Sequence, residues 1–263
     1  MKTRIFAVTL AAFSLFGLHT RANAQFLGTA DTFAVLAGST VTNTGTSVLT
    51  GDLGVSPGNA TTGFPPGIIV NGTTHAGDAV AAQAQSDVTT AYNFLAGMAV
   101  TQVLTGTDLG GLTLLPGVYY FSTSAQLTGT LTLNTQGDPN AFFAFQIGST
   151  LTTASASSVK IINSSDDCNV FWKVGSSATL GAGTAFDGHI LALASITANT
   201  GATVKDGSLL ARNGAVTLDS NTVTVCVTPM MSPSPTVPEP GAVGLLLGTA
   251  VFSGSLLLRR HRK

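Results

Sequence analysis

The chain is 263 residues long, 44% hydrophobic and only 9% charged. Between Gln25 and Thr228 its bases are Lys160, Lys173, Lys205 and Arg212, against eleven aspartates and no glutamate, a net charge of −7 with histidine neutral. Such a body cannot neutralise a run of phosphates, which excludes nucleic acid as a partner, and its apolar fraction is too high and its net charge too small for its length to be disordered.

At the N-terminus, Lys2 and Arg4 precede an apolar run over residues 5–18, followed by Ala22-Asn23-Ala24 before Gln25. A basic start, a short apolar core and a small-x-small site predict a secretory signal over residues 1–24. The apolar run falls short of the about 20 residues that a membrane span takes. Residues 25–227 then form one domain, long enough for a substantial core.

Within that body, residues 77–97 are alanine-rich, and Val80, Ala84, Val88, Ala91 and Leu95 recur at steps of three and four. This predicts an amphipathic helix over about 77–97, with Asp78 near its start and Gly97 near its end. Elsewhere the apolar residues alternate in short patches, as at Leu127, Leu131 and Leu133, between glycine-containing turns, the pattern of short strands.

An imperfect repeat organises the second half. Residues 179–192 (TLGAGTAFDGHILA) align with residues 197–211 (TANTGATVKDGSLLA), and a third copy starts at Thr217. The spacings from Thr179 to Thr197 to Thr217 are 18 and 20, and Asp187-Gly188 recurs 19 residues on as Asp206-Gly207. A period near nineteen with three short strands per copy predicts the coils of a β-solenoid, each laid on the next. The helix must bury its apolar stripe against the side of the stack.

Cys168 and Cys226 both lie in the exported body. An oxidising compartment makes a disulfide the default, with two buried free thiols as the alternative.

Catalytic groups are scarce. The body has two histidines, His75 and His189, no G-x-S-x-G elbow, and one acidic doublet, Asp166-Asp167, whose side chains on a strand would point to opposite faces. Zinc-ligand spacing and the glycine-rich calcium nonapeptide are absent. No catalytic residue, metal ligand or cofactor is assigned, and the chain is read as a non-enzyme. Phe142, Phe143, Phe145, Phe171 and Trp172 are spaced as core rather than as a sugar-binding patch.

The sequence does offer outward threonine. With Val41, Leu131, Leu151, Leu180, Ile196 and Leu218 pointing inward, alternation turns their neighbours outward. The outward set comprises Thr40, Thr42, Thr44, Thr130, Thr132, Thr150, Thr152, Thr179, Ser195, Thr197, Asn199 and Thr217. A single exposed threonine is explained by its strand preference. Recurrence at corresponding places in successive coils instead predicts a flat, uncharged face of methyls and hydroxyls, able to order water.

The runs TGDLGVSPG (residues 50–58), HAGDAVAAQAQSDVTTAYN (75–93), LPGVYYFSTSAQLTGTLTL (115–133) and the long stretch 168–224 resemble the DUF3494 family of ice-binding proteins. The resemblance extends over essentially the whole body. It implies a mainly β fold: a right-handed, discontinuous β-solenoid of triangular section with one long helix packed alongside. It also implies adsorption to an ice crystal surface through one flat face, with inhibition of ice growth and recrystallisation. Some members carry a T-A/G-x-T/N tetrad, which Thr197-Ala198-Asn199-Thr200 matches once while most coils here depart from it. A structural or adhesion solenoid of the envelope is the alternative.

At the C-terminus a Ser/Pro/Thr-rich linker over residues 228–237 leads to Pro238-Glu239-Pro240, an apolar stretch over 241–258 and Arg259-Arg260-His261-Arg262-Lys263. The stretch is long enough to span a bilayer, with the basic cluster cytoplasmic. The order over residues 238–263 resembles the PEP-CTERM sorting signal, which implies a sorting protease as partner and delivery to the envelope or an exopolysaccharide matrix. The other reading is a plain tail anchor.

Overall fold

A computed structural model describes residues 26–164 and 168–226. The signal over 1–24, the linker and tail from 228 onward with the apolar stretch 241–258, and the Asp166-Asp167 doublet lie outside the described residues.

Short parallel strands stack into three sheets of nine, seven and eight strands, one on each side of a triangular solenoid. Each coil contributes a strand to each side in turn. Leu209–Ala211, Val216–Asp219 and Thr222–Thr224 form one such coil, lying in the nine-, seven- and eight-stranded sheets respectively. Inward side chains from all three sides meet in a single core, where Val41, Leu131, Leu151, Leu180, Ile196 and Leu218 are all fully buried, as the alternation predicts.

The Asp-Gly repeat has a steric cause. Gly188 has φ +96° at the corner between the third and first sides, and a Cβ on Gly207 would fall 1.9 Å from the Gly188 carbonyl oxygen. Coils stack closely there because neither residue has a side chain.

Coil order does not follow chain order. Phe33–Ala37 pairs with Leu209–Ala211, so the first coil sits on the last. The chain builds its N-terminal coils outward from that junction, returns along the side as a helix, and builds the remaining coils back towards it.

The helix is Ala79–Gly97. At 1.5 Å per residue it is about 28 Å long, enough to cover most of the nine-stranded sheet. Asp78 caps it, accepting a hydrogen bond from the Ala81 N–H at 2.9 Å. Its buried stripe is Ala81, Ala84, Val88, Ala91, Tyr92 and Leu95. Val80, expected on that stripe, is instead 48% exposed. The cap fixes the helical phase, and Ala81 rather than Val80 is three residues before Ala84 on the contacting face. That face packs on Phe33, Leu36, Val118, Ala144, Phe171, Leu191 and Leu210, the outward residues of the nine-stranded sheet. Polar anchors fix its position. Tyr92 donates to the Val174 carbonyl at 3.2 Å, and Gln146 Nε2 donates to the Leu95 and Met98 carbonyls at 2.7 and 2.9 Å. Among the described residues no helix is long and apolar enough to cross a membrane.

Cys168 and Cys226 form a disulfide with Cα atoms 5.6 Å apart. Reduction is expected to lower stability by about 2–4 kcal/mol, read as a shift in the urea midpoint between oxidised and reduced protein. Equal midpoints, or two free thiols in non-reducing mass spectra of the exported protein, would contradict this.

Candidate functional site

Of the three sides, the nine-stranded sheet is covered by the helix, leaving two open faces. On the eight-stranded sheet Thr132 pairs with the exposed Lys160, and the exposed Lys205 stands further along the same side, so charges interrupt it. Thr130 and Thr132 stand on this side, and Thr130 Oγ1 is 2.8 Å from Ser158 Oγ. The structure therefore separates them from the other ten predicted residues. Alternation correctly turns them outward, but the chain changes sides between Ala125–Leu127 and Thr130–Asn134, at Gly129, whose φ is +89°.

The seven-stranded sheet is different. Its parallel pairings run without a register shift and align Gln126, Thr152, Thr179, Thr197, Thr217, Thr42 and Thr62 in one outward column. Six consecutive strands thus present threonine, spaced by the strand separation of about 4.7–4.9 Å. The floor beneath them is rigid, since Leu151, Leu180, Ile196, Val216 and Val41 are fully buried. Among the described residues, none of these six threonine hydroxyls bonds to another protein group, so their donors and acceptors face water.

The other predicted residues flank the column. Thr40 and Thr44 lie on either side of Thr42, and Ser195 and Asn199 on either side of Thr197. Thr150 precedes Thr152 and donates to Ser124 Oγ at 2.8 Å. Ser195 Oγ accepts from the Ala215 N–H at 3.2 Å. Thr62 and Gln126 were missed by the sequence reading. Thr62 carried a signal in its spacing of 20 from Thr42, the same near-nineteen period seen in the later coils. Ionisable groups are peripheral: Asp219 borders the column two positions beyond Thr217, and Asp108 lies beyond its Gln126 end.

The two histidines among the described residues, His75 and His189, make structural contacts. His75 bridges Asp78 Oδ2 and Thr73 Oγ1, each at 2.8 Å. His189 is buried against Phe171, 3.2 Å from Ser208 Oγ, and burial pushes its pKa down to about 4. Burial also pushes Asp31 up to about 6.

These shifts act on stability with opposite signs. Between about pH 4 and 6.5 the unfolded chain protonates His189 while the folded chain does not, so this group costs stability as pH falls. Over about pH 4 to 6 the folded chain holds the Asp31 proton more tightly, so that group gains stability as pH falls. Asp78, held low by the Ala81 N–H and by His75, acts in the same direction as His189 at still lower pH. In Asp31→Asn the opposing contribution is gone, and Tm is expected to fall steadily from pH 6.5 to 4. A Tm that rises on acidification in that variant would contradict the assignment of His189 as buried and neutral.

Residues 26–164 and 168–226 form a triangular parallel β-solenoid with one helix-covered side and one open side that carries an uncharged threonine column. Residues 35–224 match the family described as ice-binding-like, and the chain belongs to that family. It is 55% identical over 261 residues to the "Ice-binding protein" of Nostoc sp. (strain HG1), covering 98% of this chain and 96% of that one. Among solved structures it resembles an ice binding protein from an Antarctic biological consortium. The TM-score there is 0.73 at 48% identity, covering 76% of this chain and 90% of the other. The ice-binding protein of the Antarctic ascomycete Antarctomyces psychrotrophicus also gives a TM-score of 0.73, at 43% identity, covering 77% and 98%.

Proposed function

We propose that this protein binds ice through the outer face of the seven-stranded sheet and thereby limits ice growth and recrystallisation. The observation that carries this reading is the column of six threonines, aligned on consecutive strands with unpartnered hydroxyls. Its spacing of about 4.7–4.9 Å is close to an oxygen repeat of ice. Methyl groups on that grid hold water in cages while the hydroxyls anchor it, and the column carries no ion whose hydration shell would break the order. The fold fixes the side chains beforehand, so little further ordering is needed on adsorption. Thr40, Thr44, Thr150, Ser195 and Asn199 widen the face, whereas Thr130 and Thr132 lie off it. The test is a recrystallisation assay of the purified chain in frozen sucrose. Ice grains should stay small, and grain growth equal to that of an albumin control would sink the proposal.

We also infer that the body works outside the cytoplasm. In this reading residues 1–24 are removed after Ala24, 25–227 form the ice-binding domain, and 228–237 link it to the tail 238–263. A sorting protease cuts that tail, and the envelope or an exopolysaccharide matrix is the destination. The Cys168 to Cys226 disulfide supports export, since such bonds persist in oxidising compartments. Mass spectrometry of the mature protein should find Gln25 at the start and no Arg259-to-Lys263 end. An intact basic end would leave the tail as a plain anchor.

A further inference from the structure

Both described ends of the chain lie away from the threonine face. Each coil passes from the nine- to the seven- to the eight-stranded sheet, so the corner where the third side returns to the first is opposite the seven-stranded face. Cys226 follows Thr222–Thr224, on the third side, and Cys168 precedes Val170–Val174, on the first. The disulfide therefore lies at that opposite corner. Phe26, at the other end, is seated among Phe94, Phe142 and Phe171 on the helix-covered side.

The disulfide does not join adjacent coils. Cys168 opens the coil that contains Ala178–Leu180, and Cys226 closes the coil that contains Val216–Asp219, two further on. The clamp thus encloses three coils, those carrying Thr179, Thr197 and Thr217 at the middle of the column. Beyond Cys226 lies the linker over residues 228–237, which the sorting cut proposed above leaves on the body. Without the clamp, a pull on that end would fall on Thr222–Thr224, a three-residue strand held between its neighbours Thr203–Lys205 and Val48–Thr50. Coils of a solenoid are held chiefly by their nearest neighbours, so such a strand would be stripped locally. The bond to Cys168 spreads the pull over three coils.

Building on the ice-binding reading above, we propose that the body is an ice anchor held by its C-terminal end. The threonine face meets ice on one side, and tension enters at the opposite corner through the disulfide between Cys168 and Cys226.

The test uses the mature chain left by the cuts proposed above, residues 25–237, biotinylated at its C-terminal end and captured on streptavidin beads, which are brought to an ice surface and then exposed to flow. A second preparation carries its biotin, through a thioether, on Ser155→Cys. That residue is exposed in a turn between the second and third sides, so the pull does not pass through Cys226. Oxidised beads held by the C-terminal end should stay on ice under flow. Dithiothreitol should release them while leaving the Ser155-coupled beads in place. The same dissolved chain is assayed for recrystallisation inhibition. If the dissolved chain is inactive, the ice-binding reading itself fails. If it is active and yet C-terminally held beads do not adhere, or reduction affects both couplings alike, the anchor proposal is overturned.

Discussion

Replacing Thr197 by tyrosine is expected to abolish recrystallisation inhibition without unfolding the protein. Thr197 stands mid-column, in direct register with Thr179 on one side and Thr217 on the other. A tyrosine ring there would rise above the plane of methyls and hydroxyls and hold neighbouring threonines away from an ice surface. The strand's own packing is untouched, because Ile196 and Ala198 face inward and are buried. Surface changes of this kind typically alter stability by only about ±0.5 kcal/mol, so circular dichroism and the urea midpoint should match wild type. Thr179→Tyr should behave in the same way. The control is Thr132→Tyr on the eight-stranded sheet, which should keep full activity. Full activity in Thr197→Tyr and Thr179→Tyr, or loss only in Thr132→Tyr, would place the ice contact on another face. Activity should also be nearly flat from about pH 5 to 9, because threonine does not titrate there and no ionisable group stands in the column.

Much of this was legible in the sequence because two periods are physical. The two-residue alternation sends Leu180, Ile196 and Leu218 inward whatever the rest of the fold does, and the near-nineteen repeat stacks Thr179, Thr197 and Thr217. Other features depend on contacts that no local pattern encodes. The adjacency of Thr42 to Thr217 arises because the first coil docks on the last, a long-range pairing across 175 residues of sequence. That junction makes one column out of two separated parts of the chain, and without it Thr62 has no visible place. Thr130 and Thr132 show the complementary limit: alternation decides inward against outward but not which of three sides a strand occupies. The helix gives a milder case. Its period is plain, but Val80 and Ala81 are adjacent, and only the Asp78 cap and the sheet beneath select Ala81 for burial.

Trp172→Ala should be among the most destabilising single changes in the body. Its side chain is fully buried, and its ring stacks on Phe145 at 3.8 Å between centroids, with Phe186 at 4.9 Å. Phe145 stacks in turn on Tyr119 at 5.4 Å, so the inward residues of three adjacent coils form one aromatic column. The indole N–H donates to the Asp187 carbonyl at 3.1 Å, tying the first side of this coil to the turn that closes it. Truncation to alanine leaves a large cavity and removes the indole's bond to the Asp187 carbonyl, and losses of about 3–5 kcal/mol are typical of buried Trp→Ala changes. Against a total stability of about 5–15 kcal/mol for a natural domain, that is a large fraction. The coil that Trp172 anchors also carries Thr179. As the variant is warmed, recrystallisation inhibition should therefore fail irreversibly at a lower pre-incubation temperature than in wild type, while protein kept cold retains it. Trp172→Phe separates the two contributions: it restores most of the stack but not the bond to Asp187, and its stability should lie between alanine and wild type. A loss below about 1 kcal/mol in Trp172→Ala, where a typical point mutation is centred, would mean that neighbouring side chains collapse into the space and that the aromatic column is not what holds these coils in register.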